Sequence, residues 1–182
     1  MTVSEIIKKS VEILADDGLL KYLNGDLSLE DTYSSDKSML LSAYNQAVRS
    51  IAVYFPITAK ESFVSENGLV KYERFAFNPY KIKSVKVNGG QGSYKIMPTE
   101  IQVNGNITVE YYYFPKASNI NEKFVYEGVI SDTEICYGVL AEYLLYKGRY
   151  QESATFFDRF IESLKNYNKA NKNTLIKARE WF

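Results

Sequence analysis

At 182 residues, with 46% hydrophobic and 24% charged side chains, the chain has the size and composition of one soluble globular domain, which argues against wholesale disorder and a membrane protein. Its 22 basic and 22 acidic residues cancel, so no global field draws in nucleic acid, acidic substrates or anionic lipid. With no histidine and a single cysteine, Cys136, the commonest metal ligand and general base are missing, and no catalytic, cofactor-binding or metal site is assigned.

The first helix is read from Val3, Ile6, Ile7, Val11 and Leu14 at helical spacing, with Thr2 or Ser4 as its cap and Asp16-Asp17-Gly18 as its end. Residues 19–35 read as a loop holding a short helical turn at 27–31. A second helix is expected from Asp36, through Met39, Leu40, Tyr44, Ala47, Val48, Ile51 and Ala52, until Pro56 stops it.

Between Thr58 and Pro115 the period changes to two. Residues 81–87 alternate Lys81-Ile82-Lys83-Ser84-Val85-Lys86-Val87 and make a strand with one charged face, closed by the turn Asn88-Gly89-Gly90. The Asn104-Gly105 pair, set between Ile101-Gln102-Val103 and Ile107 to Phe114, predicts a β-hairpin, and Glu66-Asn67-Gly68 reads in the same manner. Five or six antiparallel strands result, as a meander or a small sandwich.

After Ser131 the helical period returns, with Glu134 placed for a capping box and Ile135, Cys136, Val139, Leu140, Tyr143 and Leu144 as an apolar face. A tight turn at Lys147-Gly148 leads to a last helix from Tyr150, whose packed face is read as Ala154, Phe157, Phe160, Ile161, Leu164 and Tyr167. The fold class is therefore α+β: N-terminal helices and a C-terminal helical hairpin forming a bundle, with an inserted antiparallel β meander or small sandwich. Residues 1–168 are read as one domain, divided into 1–56 helical, 57–116 β insertion and 130–168 hairpin, and 169–182 as a C-terminal docking tail.

Chemistry-bearing patterns resolve into structural ones. Asp16-Asp17, Glu30-Asp31 and Glu134 with Glu142 read as capping and solvated carboxylates rather than acid–base pairs. Gly89-Gly90-Gln91-Gly92-Ser93 runs into a strand, whereas a phosphate loop must open a helix. Cys136 lies on an apolar helix face with no histidine to activate it, so it reads as core. Tyr111-Tyr112-Tyr113-Phe114 is a strand facing core and partner, with stacking of single-stranded nucleic acid as the weaker reading.

From Leu164 onward five basic residues, Lys165, Lys169, Lys172, Lys177 and Arg179, face Glu180 alone. Leu175, Ile176, Trp181 and Phe182 add apolar anchors of the kind that dominate interfaces, so Leu175, Ile176, Lys177, Arg179, Trp181 and Phe182 form a candidate partner-docking segment. The excess of aromatics, 16 Tyr and 10 Phe, fits protein–protein contact as well.

In the order of these elements the chain resembles the head-to-tail connector (adaptor) proteins of tailed bacteriophages. The likeness is carried by the helix ending near Pro56, the β insertion closing on Tyr111-Tyr112-Tyr113-Phe114-Pro115, and Ser131-Asp132-Thr133-Glu134 opening a helical hairpin. Its most similar part is Ala141-Glu142-Tyr143-Leu144-Leu145-Tyr146-Lys147-Gly148-Arg149-Tyr150-Gln151-Glu152-Ser153-Ala154 followed by Phe156-Phe157-Asp158-Arg159-Phe160. The resemblance spans residues 1–168 and implies a non-enzymatic structural virion protein. Such a protein assembles in the bacterial host cytoplasm into a homo-oligomeric ring, commonly a dodecamer, at the head-to-tail interface. Its implied partners are the portal protein and tail or neck proteins, with DNA as passing cargo, no membrane and no cofactor; the tail would dock on the portal. The β insertion is larger than in compact members of the family. An alternative reading is a cytoplasmic binding module whose aromatic sheet holds a peptide, glycan or single-stranded nucleic acid.

Overall fold

The structure is a computed structural model that describes the backbone of residues 1–179 and the side chains of residues 1–167. It is α+β, with five α-helices and six strands among the described residues. The chain divides into two compact units, one of Met1–Tyr54 with the chain from Lys116 onward, the other of Phe55–Pro115.

In the helical unit, α1 (Val3–Leu14) starts where Thr2 accepts from the Glu5 amide and Glu5 accepts from the Thr2 amide at 2.7 Å, a capping box that satisfies exposed first-turn donors. The next two amides of α1 donate to the loop before α4, Val3 to Glu122 and Ser4 to Ile120, both at 2.9 Å. Ala15 takes a left-handed conformation, φ 57°, and ends the helix.

Residues 19–35 are not a loop. Asp16 accepts from the Leu19 amide at 3.0 Å and opens α2 (Asp17–Leu23). Asp26 accepts from the Ser28 amide at 3.1 Å and opens a 3-10 turn over Leu27–Leu29, and α3 runs Glu30–Tyr54, six residues earlier than its apolar period begins. Asp16 and Asp26, which read as breakers, are N-caps, each accepting a backbone N–H with its side chain and so starting the next helical segment.

The hairpin α4 (Asp132–Tyr146) and α5 (Tyr150–Arg179) packs back on α1 and α3. Glu134 accepts from the Ser131 amide at 3.0 Å, the expected cap. Buried residues surround α4 on almost every side, from Ile135, Cys136 and Gly138 to Tyr143 and Leu144, as befits a helix at the centre of a bundle.

The β unit holds two three-stranded antiparallel sheets, of order β1 (Ile57–Val64), β6 (Asn106–Tyr113), β3 (Pro79–Val87), and β2 (Leu69–Lys71), β5 (Glu100–Val103), β4 (Tyr94–Ile96). Val70, Ile101 and Val103 of one sheet share a buried core with Val85, Val87, Ile107, Val109 and Tyr111 of the other, so the arrangement is a small sandwich and not a meander. The expected hairpin at Asn104-Gly105 is absent, because β5 pairs with β2 and β4 while β6 pairs with β1 and β3.

The three Asn-Gly pairs of the β unit are corners that pass the chain from one sheet to the other. Asn67 and Gly68, φ 53° and 77°, and Asn88 and Gly89, φ 49° and 80°, adopt the paired positive φ of a type I′ turn. Each closes a single bridge, Glu66 with Leu69 and Val87 with Gly90, before the strands diverge. The corners are tied together: Asn88 Oδ1 accepts from the Asn106 amide at 3.0 Å and Ser65 Oγ from the Gly105 amide at 3.0 Å.

Candidate interaction surface

The α5 helix decides where an interaction surface lies, because its apolar residues divide between two directions. Phe160 and Leu164 are buried against the bundle, as expected. Ser153 is buried with them, its hydroxyl donating to the Ala141 carbonyl at 2.7 Å. Phe157 and Ala154, read from the sequence as packed, are exposed instead, Phe157 by 43%. The adjacent pair Phe156-Phe157 allows either phase; Phe156 turns inward, its ring 5.9 Å from that of Tyr137.

Tyr150, Ala154 and Phe157 fall at i, i+4 and i+7, with half-buried Ile161 at i+11, and so form one stripe roughly a quarter turn around the helix from its packed seam. Tyr150 is 69% exposed. Leu145 and Tyr146, both 46% exposed, stand at the end of α4 next to the turn. An apolar stripe of this kind on a helix surface is a candidate protein contact.

The base of this hairpin is held by a buried charge. Asp36 on α3 is 4% exposed and accepts from the Tyr143 hydroxyl and from Lys147 Nζ on α4, each at 2.8 Å. Burial, then the Asp36 carboxylate, pushes the Tyr143 hydroxyl well above the usual phenol range, so it stays a donor. The Glu142 carboxyl is half-buried and burial raises its pKa. The turn itself is closed by Gly148, φ 74°, and by Arg149 Nε donating to Glu152 at 2.8 Å.

Cys136 is fully buried, its Sγ 3.6 Å from the Ile6 carbonyl, and burial pushes its thiol up, away from the reactive thiolate. Among the described residues no group of three or more His, Cys, Asp or Glu side chains is placed to hold a metal ion. No described helix is long and apolar enough to cross a membrane.

In the β unit, Tyr111-Tyr112-Tyr113-Phe114 alternates. Tyr111 is buried and donates to Glu61, which also accepts from the Ala76 amide at 3.2 Å; Tyr113 stacks on Phe77 with centroids 4.1 Å apart. Tyr112 and Phe114 face the other way and meet Tyr80. A polar cleft of about 700 Å³ lies beside the Asn67, Asn88 and Asn104 corners; two of these asparagines are already explained by the turns they form.

The candidate docking residues Leu175, Ile176, Lys177 and Arg179 lie beyond the described side chains, and Trp181 and Phe182 beyond the described residues altogether. The Tyr150–Phe157 stripe and the exposed end of α4 were missed in the sequence, where Ala154, Phe157 and Ile161 were read on one packed face with Phe160 and Leu164. No family model matches the chain, and no curated protein shows significant similarity to it.

Proposed function

We propose that this chain is a structural virion protein of a tailed bacteriophage, an adaptor that forms a ring between the capsid portal and the tail and continues the DNA channel. The observation that carries the reading is the stripe of Tyr150, Ala154 and Phe157 exposed along α5, with Leu145 and Tyr146 exposed at the end of α4. A subunit that closes a ring by rotation needs an exposed patch and a complement elsewhere on the same chain. The element order supports the same reading, with a β unit inserted between α3 and α4 of a helical unit. The residues beyond 168 supply the portal-docking segment, through Leu175, Ile176, Lys177, Arg179, Trp181 and Phe182.

Complementation in an infected host tests this. Truncation after Asn168 is expected to leave DNA-filled heads without tails, as is Tyr150→Ser with Phe157→Ser. Full tailed particles from the truncated chain overturn the assignment of the docking segment, and particles made normally without this protein overturn the function.

A further inference from the structure

The outer face of the β1–β6–β3 sheet carries chemistry that an adaptor role does not use. The register sets Thr58, Lys60 and Ser62 of β1 against Tyr112, Glu110 and Thr108 of β6, and Lys81, Ser84 and Lys86 of β3 against the same three residues from the other side. Two register shifts in β3 each insert one extra residue, Tyr80 and Lys83. Both inserted side chains join this outer face. Tyr80 stacks on Phe114, centroids 4.3 Å apart at 23°, and on Tyr112 at 6.2 Å and 28°, while Lys83 Nζ donates to Glu110 at 2.6 Å. Bulges of this sort re-aim side chains beside working surfaces.

Lys60, Lys81, Lys83 and Lys86 are all exposed, and Glu110 is the carboxylate set among them by the register. The face is thus strongly basic on a chain whose total charge is zero. Lysines on the two edge strands also discourage edge-to-edge pairing, but that role does not require the bulged tyrosine. Along β3 the lysines span roughly 15 Å at the rise of a strand, room for several backbone phosphates. Hydroxyls of Thr58, Ser62, Thr108 and Ser84 fill the space between the charges.

We propose that this face binds single-stranded nucleic acid, with phosphates on Lys60, Lys81 and Lys86 and a base against the Tyr112–Tyr80–Phe114 stack. The site belongs to one protomer, so it stands or falls apart from ring assembly.

The test is fluorescence anisotropy of the full chain with labelled oligothymidylate of about 12 nucleotides, the matching duplex, and polyglutamate as a plain polyanion. The oligothymidylate is expected to bind most tightly, with affinity falling steeply as salt rises. Lys81→Gln with Lys86→Gln lowers the slope of log affinity against log salt by about 1.4, and Lys81→Arg with Lys86→Arg restores it. Tyr112→Ala weakens binding about tenfold and leaves the slope unchanged. The salt slope of the unaltered chain counts the phosphates without any substitution. Absence of saturable binding at low salt, equal affinity for polyglutamate or the duplex, or indifference to both sets of variants overturns the proposal.

Discussion

Asp36 shows what single residues contribute here. Its carboxylate is the partner of a buried hydroxyl and of a half-exposed ammonium, so Asp36→Ala leaves the Tyr143 hydroxyl stranded between α3 and α4. The expected loss is about 3 kcal/mol, read as a lower urea midpoint. Tyr44 is the contrast. Its side chain is fully buried, yet among the described residues its hydroxyl makes no well-formed hydrogen bond, with Ser118 as its polar neighbour, so Tyr44→Phe is expected to leave the midpoint unchanged or raise it. A drop above about 1 kcal/mol would show an unseen partner. Burial pushes both Tyr44 and Tyr111 up to about 12. Because a raised folded pKa favours the protonated form, the stability these groups add is whole below the unfolded phenol pKa of about 10 and is lost as pH climbs from there to about 12. Melting temperature against pH should fall in that window together with the appearance of tyrosinate absorbance.

At the scale of elements, α4 is a helix gripped from three sides, and Gly138 sets how closely. A β-carbon there would lie 2.9 Å from the Phe160 ring of α5 and 3.0 Å from Ala47 of α3. Gly138→Ala is therefore expected to destabilise the bundle by about 1–3 kcal/mol through overpacking, in spite of alanine's better helix propensity; a rise in melting temperature would contradict that. Tyr150→Ser with Phe157→Ser makes the opposite case, since both rings are exposed, and stability should stay within about 0.5 kcal/mol while assembly is lost. The elements that could be read in the sequence are those specified by near neighbours. Thr2 with Glu5 and Ser131 with Glu134 are local caps, and the alternation of 81–87 is local too. Asp16 and Asp26 misled because the same side-chain bond ends or begins a helix. The turn at Asn88-Gly89 is where it was read, whereas Asn67-Gly68 and Asn104-Gly105 misled because a tight turn says only that the chain reverses, while the partner of β6 lies some fifty residues back at β1. The interaction stripe was hidden for a related reason: Phe156 and Phe157 are equally apolar, and only the buried Ser153 and Phe160 show which of them faces the bundle.

For the whole molecule, the exposed apolar stripe on α5 is the feature on which the proposed adaptor role rests. The helical unit supplies a rigid hairpin with an unpaired line of side chains. The β unit supplies a sandwich whose corners are stapled by Asn88 and Ser65 and whose outer sheet face is charged. Sedimentation velocity of the full chain, alone and mixed with its cognate portal protein, tests the adaptor role most directly. The account predicts that the chain enters a complex with the portal at the stoichiometry of a closed ring, commonly twelve copies, and that truncation after Asn168 removes it from that complex. A species that sediments at the monomer mass of 20.9 kDa with and without the portal would contradict it.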